Sequence, residues 1–237
     1  MRAGEPVMTH QLTYVGRQTS RSDGEARRLV ILEATLRLIV REGIRGVRHR
    51  AVAKEADVPL ASTTYYFKDI KDLISDSLTY FAEKTLWMNK ELEIRSFELL
   101  KQLSSVRLGA GEGDYKASDD TELLVSKLTL FISAHIREQV SRRDDRILEV
   151  AFHEEALRNK QLASAIKRLD ESLLSTVQGF FQQLDSSNSL ADAYQIIGLI
   201  KLLEYQSIVR DDKGEPGPDF EKIFSVTIRN IIRGIVS

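Results

Sequence analysis

Residues 46–73 of the chain read GVRHRAVAKEADVPLASTTYYFKDIKDL. This stretch predicts two short helices, at about 48–56 and 60–66, joined by a tight turn. Asp57 and Pro59 favour the turn, because Asp tolerates a left-handed backbone and Pro suits the first turn of the helix that follows. The second helix is too short to be stable alone, so packing against its neighbours must hold it.

The outward face of the second helix is short, polar or flat, while Ala53, Val58 and Thr63 are suited to pin the two helices together. Such a face fits the major groove of DNA, which is about 12 Å wide. Nearby cations and other donors are placed for phosphate oxygens. The residues predicted to contact DNA are Arg48, His49, Arg50, Leu60, Ala61, Ser62, Thr64, Tyr65, Tyr66 and Lys68. The alternatives are packing roles for the two tyrosines and a plain surface position for the histidine.

The same stretch resembles the helix-turn-helix of the TetR/AcrR family of bacterial transcriptional regulators. It is similar to members whose turn and recognition helix read VPLGSTTYYF. The similarity covers about residues 27–75, and the paired alanines, the turn, the tyrosine pair, Phe67 and the following Asp-Leu fall in register. The rest of the chain fits the family only by the number and length of its helices.

The sequence departs from the family pattern at three positions. Arg48 stands where the family often has Thr or Ser, so the usual helix cap is absent and an arginine could reach a phosphate instead. Asp57 replaces the common turn glycine, which adds some strain. Ala61 replaces a glycine whose backbone approaches DNA closely. These changes put the operator sequence in doubt more than the mode of binding.

The resemblance implies an all-α homodimer with about nine helices per chain that binds a partly palindromic operator. Helices 2 and 3 would contact DNA, and a ligand bound among the later helices would shift helix 4 and release the DNA. This is the mechanism of a ligand-responsive repressor. Two recognition helices reach successive major grooves only about 34–36 Å apart, or a multiple of it. The alternative is a regulator of the same fold that senses no small molecule and is controlled by a protein partner.

Three domains are predicted. Residues 1–22 look like a disordered arm, because glycines, a proline and several Ser and Thr interrupt any period. Residues 23–69 form the helix-turn-helix domain, whose first helix, about 23–42, begins at a capping box of Ser22 and Glu25 and ends at Gly43. Residues 70–237 form the helical regulatory and dimerisation domain.

The C-terminal part shows helical periodicity and no sustained period-2 pattern. A helix begins near Ile70 and continues towards Ser105, and residues 107–120 form a surface loop whose Gly-x-Gly-x-Gly string is a weak match to phosphate-binding loops. Further helices are predicted at about 121–141, 145–157, 159–184, 189–209 and 219–236.

A ligand pocket and a dimer interface are predicted in this part of the chain. The pocket candidates, each of which could instead be core, are Tyr80, Trp87, Phe131, His135, Phe152 and His153. Residues 196–203 are apolar almost all round the helix, and a helix buried on all sides needs a second partner surface. The predicted interface residues, which a monomeric helix pair could also bury, are Ile196, Ile200, Leu203, Phe224, Ile228, Ile231 and Ile235.

Composition agrees with a cytoplasmic protein. The 237 residues include 42% hydrophobic and 29% charged residues and no cysteine, which excludes disulfides and thiolate chemistry. No apolar run approaches the roughly 18 residues of a membrane span, and the first residues lack a signal peptide. Residues 1–75 carry 13 Lys and Arg against 9 Asp and Glu, whereas the remainder carries 21 against 26. A basic N-terminal part on an acidic body is expected for a protein that binds a polyanion at one end.

Catalytic motifs are lacking, so we predict no catalytic residue, no metal and no cofactor beyond a small-molecule effector. The four histidines show no metal spacing, and no Gly-x-Ser-x-Gly elbow occurs. An enzyme or lipid carrier whose N-terminal helices only resemble a DNA-binding unit is the remaining alternative. The expected partners are double-stranded operator DNA and a second copy of the chain, without a membrane.

Overall fold

The computed structural model describes residues 12–109, 117–211 and 217–236 of the chain. Across those residues the chain forms nine α-helices and one 3₁₀ turn, and no strand. The predicted all-α fold is confirmed. The elements are α1 (Ser22–Glu42), the 3₁₀ turn (Ile44–Gly46), α2 (His49–Glu55), α3 (Leu60–Tyr66), α4 (Ile70–Gly109), α5 (Ala117–Ser141), α6 (Arg143–Ala156), α7 (Lys160–Gln183), α8 (Ser189–Asp211) and α9 (Phe220–Val236).

Both ends of the predicted 107–120 loop are helical, since α4 extends to Gly109 and α5 begins at Ala117. Residues 110–116, which hold most of the Gly-x-Gly-x-Gly string, lie outside the described residues.

The two backbone positions that the sequence marked for left-handed geometry adopt it. Gly43 has φ 69° and its N–H donates to the carbonyl of Ile39 at 2.9 Å, which ends α1. Asp57 has φ 52° in the turn between α2 and α3. The predicted capping box is wrong, because α1 begins one residue early and Ser22 is already helical. The carboxylate of Glu25 instead accepts a hydrogen bond from Arg28 at 3.0 Å.

The chain divides into two compact units. Unit 1 comprises the chain up to Trp87 together with residues 147–169. It contains α1, α2, α3, the first part of α4, most of α6 and the first part of α7. Its core is a continuous cluster of apolar side chains, each of which stabilises the fold by roughly 1.5–3 kcal/mol when fully buried. The fully buried members include Ile31, Leu32, Leu38, Ile39, Val52, Phe67, Leu73, Leu78, Phe152 and Leu162.

Residues 12–21, which we call the N-terminal strap, are packed on unit 1. Leu12 and Tyr14 are only 7% and 8% exposed and belong to its core cluster. The prediction of a disordered arm is therefore wrong for this segment, because its two apolar side chains and its backbone N–H groups find buried partners. Residues 1–11 of the predicted arm lie outside the described residues.

Two buried carboxylates on α4 hold the strap. The carboxylate of Asp76 accepts hydrogen bonds from the backbone N–H groups of Val15 and Gly16, at 2.7 and 2.9 Å. Glu83 accepts one from the hydroxyl of Tyr14 at 2.6 Å. Burial raises the pKa of Asp76, and the two backbone donors and Arg28, whose guanidinium lies 3.1 Å away, act in the opposite direction.

Unit 2 comprises residues 88–146 and 170–237. Within it α5 packs against both α8 and α9. Its core contains most of the side chains that the sequence assigned to a dimer interface. Ile196, Leu203, Phe224, Ile228 and Ile231 are 8% exposed or less within a single chain, and Ile200 and Ile235 pack on the same cluster. The prediction is therefore wrong for these five side chains, which their own chain buries, whereas Ile200 and Ile235 are partly buried and their place in an interface stays a prediction.

A second stripe of α8 is apolar and exposed. It consists of Leu190, Ala191, Tyr194, Gly198, Leu202, Tyr205 and Val209. At 100° per residue these positions span about a third of the helix circumference. The helix is apolar nearly all round as predicted, but the inward stripe faces the unit 2 core and the outward stripe faces solvent.

His135 links the stability of unit 2 to pH. Its Nδ1 atom is buried without a hydrogen-bond partner among the described residues. Burial, and then the cation of Arg95, lower the pKa of this imidazole from 6.5 to about 4; Glu138 opposes the shift, while Lys201 and Arg146 add to it. Because the folded state resists protonation, the stability that this group contributes is complete above pH 6.5 and is lost as the pH falls towards 4.

We predict that replacing His135 with Gln reduces the loss of unfolding free energy as the pH falls. Between pH 7 and pH 5 the parent protein should lose about 2 kcal/mol more unfolding free energy than His135→Gln, measured by urea unfolding. His153→Gln is the matched control, because that histidine is exposed. Parallel profiles for the parent and His135→Gln would contradict the prediction.

Candidate nucleic-acid interface

α2 and α3 are joined through small buried side chains. Of the residues predicted to pin the pair, Ala53 and Thr63 are buried and Val58 is partly buried against the same core. The hydroxyl of Thr63 donates to the carbonyl of Leu60 at 2.9 Å, so this polar group is satisfied inside the protein. Phe67 ends α3 and is fully buried, and its N–H donates to the carbonyl of Thr63 at 3.0 Å. One face of α3 is thus fixed to the core and the opposite face is left outside.

The outer face of α3 is open to solvent. Leu60, Ala61, Thr64 and Tyr65 are exposed, and Ser62 is partly exposed. Tyr65 is the largest of these side chains, at 53% exposure. A seven-residue helix with small side chains at its N-terminal end and an aromatic ring at its C-terminal end has the dimensions of a recognition helix.

Tyr66 does not belong to this surface. It is 6% exposed, and its hydroxyl donates to the carbonyl of Gly24 on α1 at 3.0 Å. The prediction that it contacts DNA is wrong, because the ring packs in the unit 1 core. The sequence contained a signal for this: Tyr66 follows the inward-facing Thr63 by three positions, which places both on one side of a helix.

Cations flank the outer face of α3. Arg50 and Lys68 are exposed. Arg48 is exposed at the start of α2, and its guanidinium donates to the carbonyls of Arg45 and Val47. This arginine therefore ties the 3₁₀ turn to α2 in the position where a capping side chain was expected. His49 is half-buried, with its Nδ1 atom shielded from solvent and without a partner in the described part of the chain. Contact of these residues with phosphates stays a prediction.

Arg17 of the strap lies at the edge of the same surface. Its backbone N–H donates to the carbonyl of Tyr66 at 2.8 Å, and its guanidinium lies over the ring of Tyr65, 4.3 Å from the centroid. The sequence placed this arginine in a disordered arm, because two isolated apolar residues are too weak a pattern to indicate a packed segment.

The six pocket candidates are divided between the two units. In unit 1, Phe152 is fully buried in the core, Trp87 and His153 are exposed, and Tyr80 is buried with its hydroxyl donating to Glu33 at 2.9 Å. In unit 2, Phe131 is partly buried and His135 is the shielded imidazole described above. Their role in ligand binding stays a prediction.

Unit 2 contains an open cleft of about 650 Å³. None of the six pocket candidates lines it. Its walls are formed by residues of α5, α8, the segment 217–219 and the start of α9, which include Arg137, Val140, Ser207, Pro218 and Phe220. Arg137 also forms an ion pair with Glu221 at 2.7 Å.

The described residues contain no group of three or more His, Asp or Glu side chains that could hold a metal ion. None of the helices described is both long and apolar enough to cross a bilayer.

α2, the turn at Asp57 and the exposed α3 together form a helix-turn-helix. Residues 31–76 match the family of bacterial regulatory proteins called the tetR family. The chain is 34% identical over 73 residues to PksA, an HTH-type transcriptional regulator of Bacillus subtilis (strain 168). That match covers 31% of this chain and 36% of PksA, so it is confined to about a third of the relative. The family match spans the helix-turn-helix, in agreement with the resemblance noted in the sequence.

Solved structures extend the similarity of fold over most of the chain. A proposed transcriptional regulator from Streptomyces coelicolor A3(2) superposes with a TM-score of 0.57 and 22% identity, covering 89% of this chain and 99% of that one. The multidrug binding protein EbrR, in complex with ethidium, superposes with a TM-score of 0.51 and 21% identity over 86% of this chain and 98% of EbrR. At these identities the likeness concerns the fold alone.

We predict that the adjacent tyrosines differ sharply in their effect on stability. Tyr66→Ala should lower the unfolding free energy by about 3–5 kcal/mol, because it leaves a cavity beneath α3. Tyr65→Ala should lower it by only about 1–2 kcal/mol, since the ring is exposed and loses its contact with Arg17 and an edge-to-face contact with the ring of Tyr66. Chemical unfolding monitored by circular dichroism measures both values, and equal losses would contradict the assignment of the two rings.

Proposed function

We propose that the chain is a transcriptional regulator without enzymatic activity that binds operator DNA as a homodimer, acts as a repressor in the bacterial cytoplasm, and releases DNA when a small molecule binds. The observation that carries the proposal is α3, whose inner face is fixed to the core while its outer face is exposed between cations. A helix held in this way can enter the major groove without rearranging.

The contacts with DNA divide by position on α3. In helix-turn-helix proteins the N-terminal residues of the recognition helix contact base edges, which assigns this role to Leu60, Ala61 and Thr64. Tyr65 at the C-terminal end and the exposed Lys68 beyond it would then face the sugar-phosphate backbone. Lys68 supplies the positive charge that such a contact requires.

The outward stripe of α8 is the surface that we propose for the second copy of the chain. Its seven members carry no charge, and the exposed Lys201, which lies in the same arc, forms an ion pair with Glu204 at 3.8 Å. Gly198 lies midway along it with open space where a Cβ atom would be, so a partner helix can approach the backbone closely there. Two copies related by a two-fold axis would bury both stripes against each other, which is the isologous contact of a dimer.

The effector site that we propose is the cleft in unit 2. Its volume lies within the range of pockets for small ligands, and Phe220 and Val140 offer apolar contacts beside the guanidinium of Arg137. The fold that the chain shares with EbrR, which binds ethidium, supports a small-molecule effector. A compound that both raises the melting temperature of the protein and lowers its operator affinity would separate this function from control by a protein partner.

We predict that Lys68→Ala and Tyr65→Ala both weaken DNA binding, the first by removing a charged contact and the second by removing an uncharged one. Lys68→Ala should weaken binding about tenfold and reduce the slope of log Kd against log salt by about 0.9, because one phosphate contact is lost. Tyr65→Ala should also weaken binding about tenfold but leave the slope unchanged, since the side chain carries no charge. Fluorescence anisotropy with promoter DNA at several salt concentrations gives both quantities.

The control for both variants is Arg158→Ala, which removes an exposed cation of unit 1 outside α2 and α3. Its affinity and salt slope should match those of the parent. Loss of affinity in the control equal to that of Lys68→Ala would indicate a diffuse electrostatic effect and would remove the support for α3 as the DNA-contacting face.

We also predict that Tyr205→Glu combined with Leu202→Glu produces a folded monomer, because two charges are placed in the proposed dimer contact. Sedimentation velocity measures the oligomeric state, and circular dichroism checks the helix content. Val150→Glu, an exposed apolar position on α6, is the control and should remain dimeric. Dimers of unchanged affinity for the double variant would exclude this stripe as the interface.

A further inference from the structure

The N-terminal strap connects two helices of unit 1, α3 and α4. Its buried side chains dock against the core, its backbone N–H groups at Val15 and Gly16 bind Asp76 on α4, and the next N–H, of Arg17, binds the carbonyl of Tyr66 on α3. Three consecutive backbone donors are thus used within one short segment. The backbone position of Arg17 is therefore set by its own hydrogen bond and those of the two residues before it, and not by its flexible side chain.

Gly16 allows the strap to lie this close to the core. A Cβ atom at this position would lie 2.6 Å from the ring of Phe67 and 2.8 Å from a carboxylate oxygen of Asp76. Both neighbours are fully buried, so neither can move aside without disturbing the core. Any larger residue at position 16 would lift the strap and displace the arginine that follows.

The guanidinium of Arg17 is presented towards solvent beside the outer face of α3. It stacks on the exposed ring of Tyr65, and an arginine stacked on an aromatic face keeps its in-plane N–H donors available for other partners. No carboxylate of the described residues forms an ion pair with it. An exposed cation held beside the C-terminal end of α3 is placed for an anion on that side of the helix.

We propose that Arg17 is a further DNA-contacting residue, which the strap holds beside α3 so that it donates to a backbone phosphate of the operator half-site. This inference rests on the proposed function. A phosphate is favoured over a base edge because Arg17 stacks at the C-terminal end of α3, whereas base edges are contacted from the N-terminal end. The guanidinium matches phosphate geometry through two parallel N–H donors.

Salt titration of DNA binding by Arg17→Gln and Arg17→Lys tests the proposal. Arg17→Gln should weaken binding about tenfold, by the same factor for operator and unrelated DNA, and reduce the salt slope by about 0.9. Arg17→Lys should retain the slope, since it keeps the charge. If Arg17 only supported the ring of Tyr65, neither variant would change the slope, and that result would overturn the proposal.

Gly16→Ala provides a second test that leaves the arginine in place. Lifting the strap should reduce the salt slope as Arg17→Gln does, while the double variant Gly16→Ala with Arg17→Gln should show no further reduction. A separate reduction in the double variant would show that the strap does not position Arg17. Circular dichroism confirms that each variant remains folded.

Two controls separate this inference from the proposed function. Arg158→Gln removes an exposed charge elsewhere in unit 1 and should leave the slope unchanged. Lys68→Ala serves as the positive reference. If the parent protein binds no DNA, the proposed function fails; if the parent binds and Lys68→Ala lowers the slope while Arg17→Gln does not, only the role of the strap fails.

Discussion

The burial of one side of α3 is the constraint on which the rest of the DNA-facing surface depends. A helix of seven residues does not persist in water by its own hydrogen bonds. Thr63, Tyr66 and Phe67 supply the missing stability by packing against α1, α2 and α4. These side chains pack on the inner face of α3. The residues of the outer face are therefore not needed for packing and are available to contact a ligand.

Unit 1 also contains a buried ion pair, between Arg28 of α1 and Asp76 of α4. Arg28 and Asp76 are both fully buried, and such pairs add little net stability because their desolvation offsets their attraction. Here the pair serves instead to orient the neighbouring segments of the chain. The carboxylate of Asp76 accepts two backbone N–H groups of the strap as well as the guanidinium, so one side chain determines where α1, α4 and the strap meet. An apolar replacement could fill the space but could not orient a backbone.

Helical periodicity was sufficient to locate the elements. The first helix was predicted at 23–42 and is found at Ser22–Glu42, and the left-handed positions Gly43 and Asp57 were anticipated from their side chains. It was harder to predict which face of a helix would be buried. α8 has two apolar stripes, and which one becomes core depends on the position of α5, which no local pattern encodes. The strap was missed because its partners are distant in sequence.

That separation along the chain has a consequence for synthesis. Leu12 and Gly16 bind carboxylates that lie 71 and 60 residues further on. On the ribosome the strap is made first, yet it has nothing to dock on until α4 has emerged. The strap can therefore dock only after the first part of α4 has been translated, although it precedes every helix of the unit in the chain.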